Sequence, residues 1–537
     1  MMRSFYQKQG MFLVKSSRKY LSAQGMIDLI RGQFNQIKQP RQLAPRSDLI
    51  TTADCLMSGF AMFGLKFPSL LKFDEGKEER AIKHNLHTLY GIRQVPSDTY
   101  MRERNDEVDP REIRKAYKKI FSQVQRGKIL EAYSYLNNHY LIASDGTGFF
   151  ESSSIHCKNC CIKQYKKCRI KISVELSDHL TDYQPNTYLL IKPAFYPWEM
   201  YFFDSNKKLS TISISDVSGL GDILLDKRWK SLSPREKFKV KELIAAYHAD
   251  HYQKEKISYY HQMYCAAIVH PTQKFVLPLA PEPIMKTDGS TKNDCERNAA
   301  KRLYADTRRE HPHMKLIAVQ DAIASNVPHL TDLKNLDIRY IVGVKPADHK
   351  FLFDQIKESE CIEYEHHTLD GTKHRYRYIN EVQLNKKHHR FRTNFLAYWE
   401  KDKDGNEQHF SWITDLPITN QNVYEIMKGG RVNWRIENNT FNTLKNQGYH
   451  FSHNFGHGYK HLSTVFCMLM MLAFYVDQVQ ELSCHLFKKA RARFKSRTSL
   501  WDTVRSLVRQ FFIDNWDDLF NAIAHGYNNA ILVPNTS

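Results

Sequence analysis

Two stretches of the chain consist of an apolar run that ends in an aspartate. They are HYLIASDGTGFF at 139–150, where the run ends at Asp145, and MKLIAVQD at 314–321, where it ends at Asp321. Continuous apolar runs of this length predict strands buried on both faces of a sheet. A single aspartate after a strand is most often a turn or capping residue, so neither position alone indicates a function.

A third acid lies in a stretch with helical spacing, WRIENNTFNTLKNQG at 434–448. Residues three and four apart share a helix face, so Glu437 is predicted to lie on one side with Trp434, Phe441, Leu444 and Lys445. An ionised carboxylate among apolar side chains is costly to bury unless a cation or a metal ion compensates its charge. The alternative is an acid at the edge of the apolar stripe, paired with Arg435 or Lys445.

Together the three acids form a set of hard oxygen ligands, in the order Asp, Asp, Glu on strand, strand and helix. Mg²⁺ and Mn²⁺ prefer ligands of this kind. Two ions held by shared carboxylates can stabilise both the attacking and the leaving oxygen of a phosphodiester. The pattern therefore predicts metal-dependent chemistry on phosphodiesters.

The composition is that of a globular protein with a basic surface. Of its 537 residues 42% are hydrophobic and 12% aromatic, and the formal net charge is +20 at pH 7. Lys and Arg that neutralise phosphates release counterions, so this charge favours a nucleic-acid partner, although a basic bias also serves solubility. The longest apolar run, Val465 to Val476, is too short to span a bilayer and predicts a buried helix. The start of the chain lacks an apolar segment of signal-peptide length, so we expect a cytoplasmic protein without a membrane partner.

Two segments have patterns suited to contact with DNA. HNLHTLYGI and SDTYMRERNDEV, separated by a break from Gly91 to Pro96, predict two helices joined by a turn. A helix-turn-helix of this kind would turn Arg102 and Arg104 toward DNA, and a plain helical bundle is the alternative.

The second segment is the strand pattern RYRYINEVQL, whose alternation places Arg375 and Arg377 on one face and the tyrosines on the other. Basic side chains with interleaved aromatics suit the DNA backbone and unstacked bases. Nearby Trp412 could stack on a displaced base or belong to the core.

A short His and Cys segment, HCKNCC, contains His156, Cys157, Cys160 and Cys161 at metal-ligand spacing. Structural zinc usually takes four ligands, and here the second half would have to come from Cys168, His261, Cys265 or Cys295. None of these forms a clear second pair, so we expect reduced cysteines packed at a hairpin turn.

A later segment, GYHFSHNFGHGYKHLS, is rich in histidine. The spacing of these residues fits a solvated or phosphate-facing segment better than a metal site. The histidines concerned are His450, His453, His457 and His461.

Taken together, these motifs resemble the DDE transposases of bacterial insertion sequences, in the subgroup whose Glu lies in a Tyr, Arg, Glu, Lys signature. The resemblance covers most of residues 130–465. The motifs that carry it are DGTGFF at 145, HCKNC at 156, YYHQM at 259, the segment from Asp294 to Arg302, Asp321 after LIAV, and residues 434–458.

The resemblance implies a ribonuclease-H-like core that uses two Mg²⁺ ions, with Mn²⁺ able to substitute. Carried over by position, Asp145, Asp321 and Glu437 are the implied catalytic and metal-binding residues. The signature itself is incomplete, because its Arg position holds Asn433, its Tyr position holds Gly430, and its Lys is displaced by one residue to Lys445. Arg431 and Arg435 lie close enough in sequence to replace the missing phosphate contacts.

The predicted fold class is α/β, with a ribonuclease-H-like mixed-sheet core interrupted by an all-β insertion and helical regions at both ends. The chain is too long for one ordinary core and is expected to divide into several regions. The predicted regions are a helical DNA-binding region at 1–128, core segments at 129–165, 257–345 and 421–485, an added α+β insertion at 166–256, a β-strand insertion at 346–420, and a basic helical region at 486–537.

The predicted function is that of a DNA transposase, which cuts element ends and transfers the 3′ hydroxyl into target DNA. We expect double-stranded DNA as partner, a homodimer on DNA, and a bacterial cytoplasmic location associated with the nucleoid. Two alternatives stay open: an inactive DNA-binding relic, and a nuclease of the same fold.

Overall fold

In a computed structural model of the protein, the two apolar runs form neighbouring parallel strands of one sheet. His139–Ser152 pairs with Leu316–Gln320, with Val319 opposite Ala143. The apolar side chains of both strands are buried, which is why each run is continuous instead of alternating.

The structure describes residues 20–38, 49–164, 171–175, 186–191, 198–204, 208–224, 227–252, 257–289, 292–368, 371–526 and 532–535. These divide into two compact units. The main unit comprises residues up to 161 and from 260 onward, and the inserted unit comprises residues 162–259. The insertion predicted at 166–256 falls within the second of these ranges.

The main sheet has mixed strand directions. From one edge to the other, its strands follow the order Glu282–Ile284, Ile257–Val269, His139–Ser152, Leu316–Gln320, Ile338–Gly343, Glu407–Thr414, Arg392–Lys401, Lys373–Gln383 and Ile362–His367. The short strands Ser134–Tyr135 and Leu277–Pro278 pair beside this path, and Cys161–Gln164 is a further short strand. Leu316–Gln320 runs parallel to both of its neighbours, His139–Ser152 and Ile338–Gly343.

Helices pack on the main sheet and make up most of the chain before its first strand and after Arg497. Before the first strand they are Ala23–Phe34, Thr52–Gly64, Leu70–Gly76, Arg80–Tyr90, Asp98–Asp106 and Pro110–Arg126. Later in the main unit they are Lys292–Glu310, Val327–Asn335, Lys350–Glu358, Val423–Arg431, Asn442–Asn446, Leu462–Ser483, His485–Ala492, Arg497–Gln510 and Trp516–His525. A two-stranded ladder joins Phe511–Phe512 to Val533–Pro534.

The apolar run at 465–476 lies in a buried helix of the main unit, Leu462–Ser483. In the described part of the chain this is the one helix long and apolar enough to cross a membrane. The helix Thr52–Gly64 packs on it, and a Cβ added at Gly59 would lie 3.0 Å from Leu469 Cδ1. Tyr117 donates a hydrogen bond of 2.6 Å to the backbone carbonyl of Met468.

The segment predicted as a DNA-reading helix is part of this helical core. Asp98–Asp106 packs against both Thr52–Gly64 and Leu462–Ser483. Arg104 is buried and stacks on Tyr100, with 5.4 Å from its guanidinium carbon to the ring centre. The structure thus corrects the prediction that Arg104 faces DNA and agrees with the helical-bundle alternative.

Asp106, at the end of this helix, fixes the loop that enters the buried helix. Its carboxylate accepts backbone N–H bonds of 2.8–3.0 Å from Tyr459, Lys460, His461 and Leu462. Burial alone would raise the pKa of Asp106, but these four donors bring the pKa below its usual value. A Cβ at Gly458, where φ is +67°, would lie 2.4 Å from Asp106 Oδ1, so this turn requires glycine.

We expect Asp106→Asn to lower the free energy of unfolding by about 2–3 kcal/mol at pH 7, because a buried charged acceptor of several hydrogen bonds is lost. The folded pKa lies below the unfolded value of 3.8. Asp106 therefore stabilises the fold above pH 3.8, and this stabilisation disappears as the pH falls through the folded pKa.

Urea unfolding of wild type and variant at pH 7 and pH 3 measures this difference. The gap between the two proteins should narrow at pH 3, and the exposed control Asp354→Asn should match wild type at both pH values. Equal stability of Asp106→Asn and wild type at pH 7 would contradict the role given to the carboxylate.

The segment at 346–420 does not form a sheet of its own. Its last strand, Glu407–Thr414, pairs antiparallel with Ile338–Gly343, so its four strands extend the main sheet. The sequence predicts an all-β insertion here, but part of the segment is helical. Lys350–Glu358 is a helix, because Leu352 and Ile356, four residues apart, bury one face of it.

The inserted unit is an α+β arrangement. Its sheet follows the chain order Lys171–Glu175, Thr187–Ile191, Glu199–Phe203 and Leu209–Ile212. Its helices are Leu220–Leu224 and Pro234–Tyr252, and a separate apolar core includes Tyr188, Met200 and Leu220.

Candidate active site

The two aspartates predicted from the apolar runs lie just beyond the carboxyl end of the parallel ladder between two neighbouring strands. Val319 is opposite Ala143 in the parallel ladder, and extending this register by two residues sets Asp321 opposite Asp145. Neighbouring strands are about 4.8 Å apart. The register therefore brings the two carboxylates into one site, although they are far apart in sequence.

Asp145 carries the most perturbed carboxyl group of this site. Burial, the largest cause, and repulsion from Asp321, Glu296 and Glu437 together raise its pKa to about 7. A 2.7 Å hydrogen bond from the N–H of Gly146 acts in the opposite direction. The negative charges of three other acids thus converge on Asp145, an arrangement that a bound cation would relieve.

Asp321 has a second, structural role. It caps the short turn Ala322–Ala324, accepting a 3.1 Å hydrogen bond from the N–H of Ile323. Burial raises its pKa, while that hydrogen bond and the charge of Lys345 act in the opposite direction. Asp321 therefore both caps this turn and belongs to the acid cluster.

Ser144 and Gln320, the residues before the two aspartates, are buried and are linked by hydrogen bonds to the same tyrosine. Gln320 donates a 2.8 Å hydrogen bond to the hydroxyl of Tyr264, which lies 3.0 Å from Ser144 Oγ. His329 Nε2 lies 2.8 Å from Gln320 Oε1, and burial lowers the pKa of His329 to about 4, so its ring is neutral. This buried network fixes the two strand ends and, with them, the spacing of the aspartates.

Glu437 lies on a π-helical segment, Ile436–Phe441, that packs against the strand bearing Asp145. Its charge is one of those that raise the pKa of Asp145. The structure therefore places all three predicted acids in one region of the main unit.

The helix face predicted for Glu437 is wrong in part. Phe441 and Leu444 are buried, but Glu437 is exposed and Trp434 is 50% exposed. A π-helix bonds residue i to residue i+5, so positions seven apart across this segment no longer share a face. Glu437 consequently lies at the solvent side of the site instead of within an apolar stripe.

A fourth acid, Glu296, lies near the start of the helix Lys292–Glu310. In the structure its carboxylate lies against the backbone beside Asp145, since a Cβ at Gly146 would be 2.9 Å from Glu296 Oε1. Its charge also raises the pKa of Asp145. In the sequence, the one sign of a side chain packed at this position is Gly146, because only a residue without a Cβ leaves room for the Glu296 carboxylate.

Several residues predicted to bind DNA are engaged within the protein. Arg435 is buried, donates a 2.8 Å hydrogen bond to the carbonyl of Pro271, and stacks on Trp434. Arg431 is paired with Glu400. Both arginines were expected to replace missing phosphate contacts, and these internal partners oppose that role.

Trp412 is also buried, which agrees with the core alternative and opposes the predicted DNA-binding role of stacking on a displaced base. A Cβ at Gly430 would lie 2.6 Å from Trp412 Nε1. Gly430 occupies the position where the resemblance leads one to expect Tyr, and Trp412 fills the space that a tyrosine would need.

The remaining predicted contacts are more accessible. Lys445 is exposed, and Arg102 is partly exposed and paired with Asp98 at 2.6 Å. Arg375 stacks on Trp399, with 4.5 Å to the ring centre, and Arg377 donates to the carbonyl of Ile356 at 3.3 Å.

The donor set of the acid cluster fits divalent cations. Asp145, Asp321, Glu437 and Glu296 offer only carboxylate oxygens, which are hard ligands of the type preferred by Mg²⁺ and Mn²⁺. The negative charges of Asp321, Glu296 and Glu437 each add to the effect of burial on the pKa of Asp145, so a cation at this position would be stabilised by several carboxylates.

No protein-family model matches the chain, and no curated protein matches it. Among solved structures, the chain is similar to piggyBac transposase in a cryo-EM synaptic complex with hairpin DNA. The TM-score is 0.35 at 8% sequence identity, over 96% of this chain and 82% of that one. Similarity at this level identifies neither a family nor a function.

Proposed function

We propose that this protein is a DNA transposase that cuts at the ends of its element and joins the freed 3′ hydroxyl to target DNA. The observation that carries the proposal is the pairing of the strands that lead to Asp145 and Asp321, with Glu437 close enough for its charge to raise the pKa of Asp145. The strand order around His139–Ser152, with the acids on neighbouring parallel strands, supports a ribonuclease-H-like core.

The three carboxylates would hold two Mg²⁺ ions, which when bound would supply an activated nucleophile and stabilise the leaving oxygen. The protein's own contribution is positioning. Tyr264 and Gln320 fix the strand ends, so the carboxylates need little reorganisation when ions and DNA arrive.

Positive charge near the acids suits a phosphate. Lys345 follows the neighbouring strand Ile338–Gly343, is exposed, and lies close enough to Asp321 to affect its pKa. Together with the net charge of +20, this favours DNA as the substrate.

The test is a gel-shift and a cleavage assay on DNA from the two flanks of the reading frame, with scrambled DNA as control. We expect specific binding, and strand cleavage that requires Mg²⁺ or Mn²⁺ and stops with EDTA. Cleavage without joining of the 3′ end to a target plasmid would favour the nuclease alternative, and binding without cleavage under any divalent ion would favour the relic.

A further inference from the structure

A second cluster of ligating side chains lies outside the acid site. It consists of Cys157, Cys160, His261 and His457, whose ligand atoms all lie within 4.8 Å of one another. All four residues belong to the main unit. Cys160, His261 and His457 are buried, which corrects the prediction that His457 is solvated or faces phosphate.

We infer that these four residues form a structural zinc site. Tetrahedral zinc with ordinary bond lengths separates two sulfurs by about 3.8 Å, a sulfur and a nitrogen by about 3.6 Å, and two nitrogens by about 3.3 Å.

The two sulfurs are 3.7 Å apart, and His261 Nε2 lies 3.5 Å from Cys157 Sγ and 3.6 Å from Cys160 Sγ. His261 Nε2 and His457 Nδ1 are 3.2 Å apart. Only the 2.8 Å between Cys160 Sγ and His457 Nδ1 is short, and it would lengthen by about 0.8 Å around an ion. Four of these five separations thus match those expected around a tetrahedral zinc ion.

Groups around the cluster support its ligands in the way zinc sites require. His261 Nδ1 lies 3.4 Å from Ser463 Oγ, which orients Nε2 toward the cysteines. The N–H of Cys157 donates a 3.3 Å hydrogen bond to Cys160 Sγ, a contact that stabilises a thiolate. Four ligands from the protein leave no open position, so a structural role is indicated and not a catalytic one.

The site would connect the two parts of the chain that carry the first and third acids. Cys157 and Cys160 follow the strand that bears Asp145, and His457 follows the segment that bears Glu437. Backbone bonds join the same two parts, from Phe150 N–H to Phe451 O at 3.2 Å and from Glu151 N–H to Ser452 O at 3.0 Å. Zinc would therefore lock the Glu437 segment against the end of the Asp145 strand.

The test uses the full chain, purified without chelators and without a metal-affinity column, and measures its metal by inductively coupled plasma mass spectrometry. We expect about one zinc per chain in wild type and in the control Cys161→Ser. Cys161 is the neighbouring cysteine outside the cluster, so it matches the mutated position in chemistry. Cys160→Ser and His457→Ala should lose the metal.

Cobalt substitution of wild type provides a measurement that needs no variant to fold. Co²⁺ in this site should give the intense visible bands of a tetrahedral ion and a thiolate charge-transfer band. Wild-type protein that holds no zinc and gives no such spectrum would overturn the inference. So would retention of zinc by Cys160→Ser, or a Cys157 to Cys160 disulfide in protein isolated with its thiols blocked.

Discussion

Asp145→Asn and Asp321→Asn are each expected to abolish metal-dependent cleavage of element-end DNA, lowering the rate by at least about 10³-fold. Asparagine keeps the size of the side chain but loses the charge that holds a cation. The two residues follow paired positions of a parallel ladder, and the charge of Asp321 acts on Asp145, so loss of either carboxylate should disable the same site. The measurement is the single-turnover cleavage rate at saturating Mg²⁺.

The matched control is Asp354→Asn, an exposed aspartate paired with Lys357 on a helix outside the acid cluster. It should cleave like wild type. Because Asp145 is destabilised by burial and by its acidic neighbours, Asp145→Asn should fold and melt at least as high as wild type without metal. Cleavage at the wild-type rate by either site variant would remove that residue from the site.

Glu437→Gln is expected to remove cleavage while leaving the fold and DNA binding intact. Gln has similar size and helix propensity, and Glu437 is exposed, so the π-helical segment should persist. Affinity for end DNA should change by less than about threefold and should still fall steeply with salt, because it depends on many Lys and Arg contacts. Cleavage and gel-shift on the same DNA measure both properties.

Glu296→Gln is the informative companion, because Glu296 also raises the pKa of Asp145 and lies beside Gly146. If Glu437 is the third ligand, Glu296→Gln should retain measurable cleavage. The reverse result, with Glu437→Gln active and Glu296→Gln inactive, would transfer the third position to Glu296.

The two acid-bearing strands could be predicted from sequence because their signal is local. A continuous apolar run identifies a strand buried on both faces, and the residue after the run lies at its carboxyl end. The strand partners are not local information, so the pairing of Leu316–Gln320 with His139–Ser152 could be expected only through a family resemblance.

Other parts of the candidate site depend on contacts distant in sequence. Helical spacing misplaced Trp434 relative to Phe441 and Leu444, because the π-helical segment Ile436–Phe441 that follows Trp434 has a different period from an α-helix. Arg104 has the charge of a DNA contact, yet the packing of three helices buries it. His457 is 196 residues from His261, so no spacing rule could join them as a pair.

Cys157 and His261 flank the inserted unit, and their positions indicate how readily the length of that unit can change in evolution. The chain leaves the main unit after residue 161 and returns at 260, yet Cys157 Sγ and His261 Nε2 are 3.5 Å apart. The entropy of closing a loop grows only with the logarithm of its length, so each doubling of the excursion costs only about 0.6 kcal/mol. Sequence can therefore be gained or lost between these two points at little cost to the stability of the main sheet, and evolution can vary this part of the chain while the acid site stays unchanged.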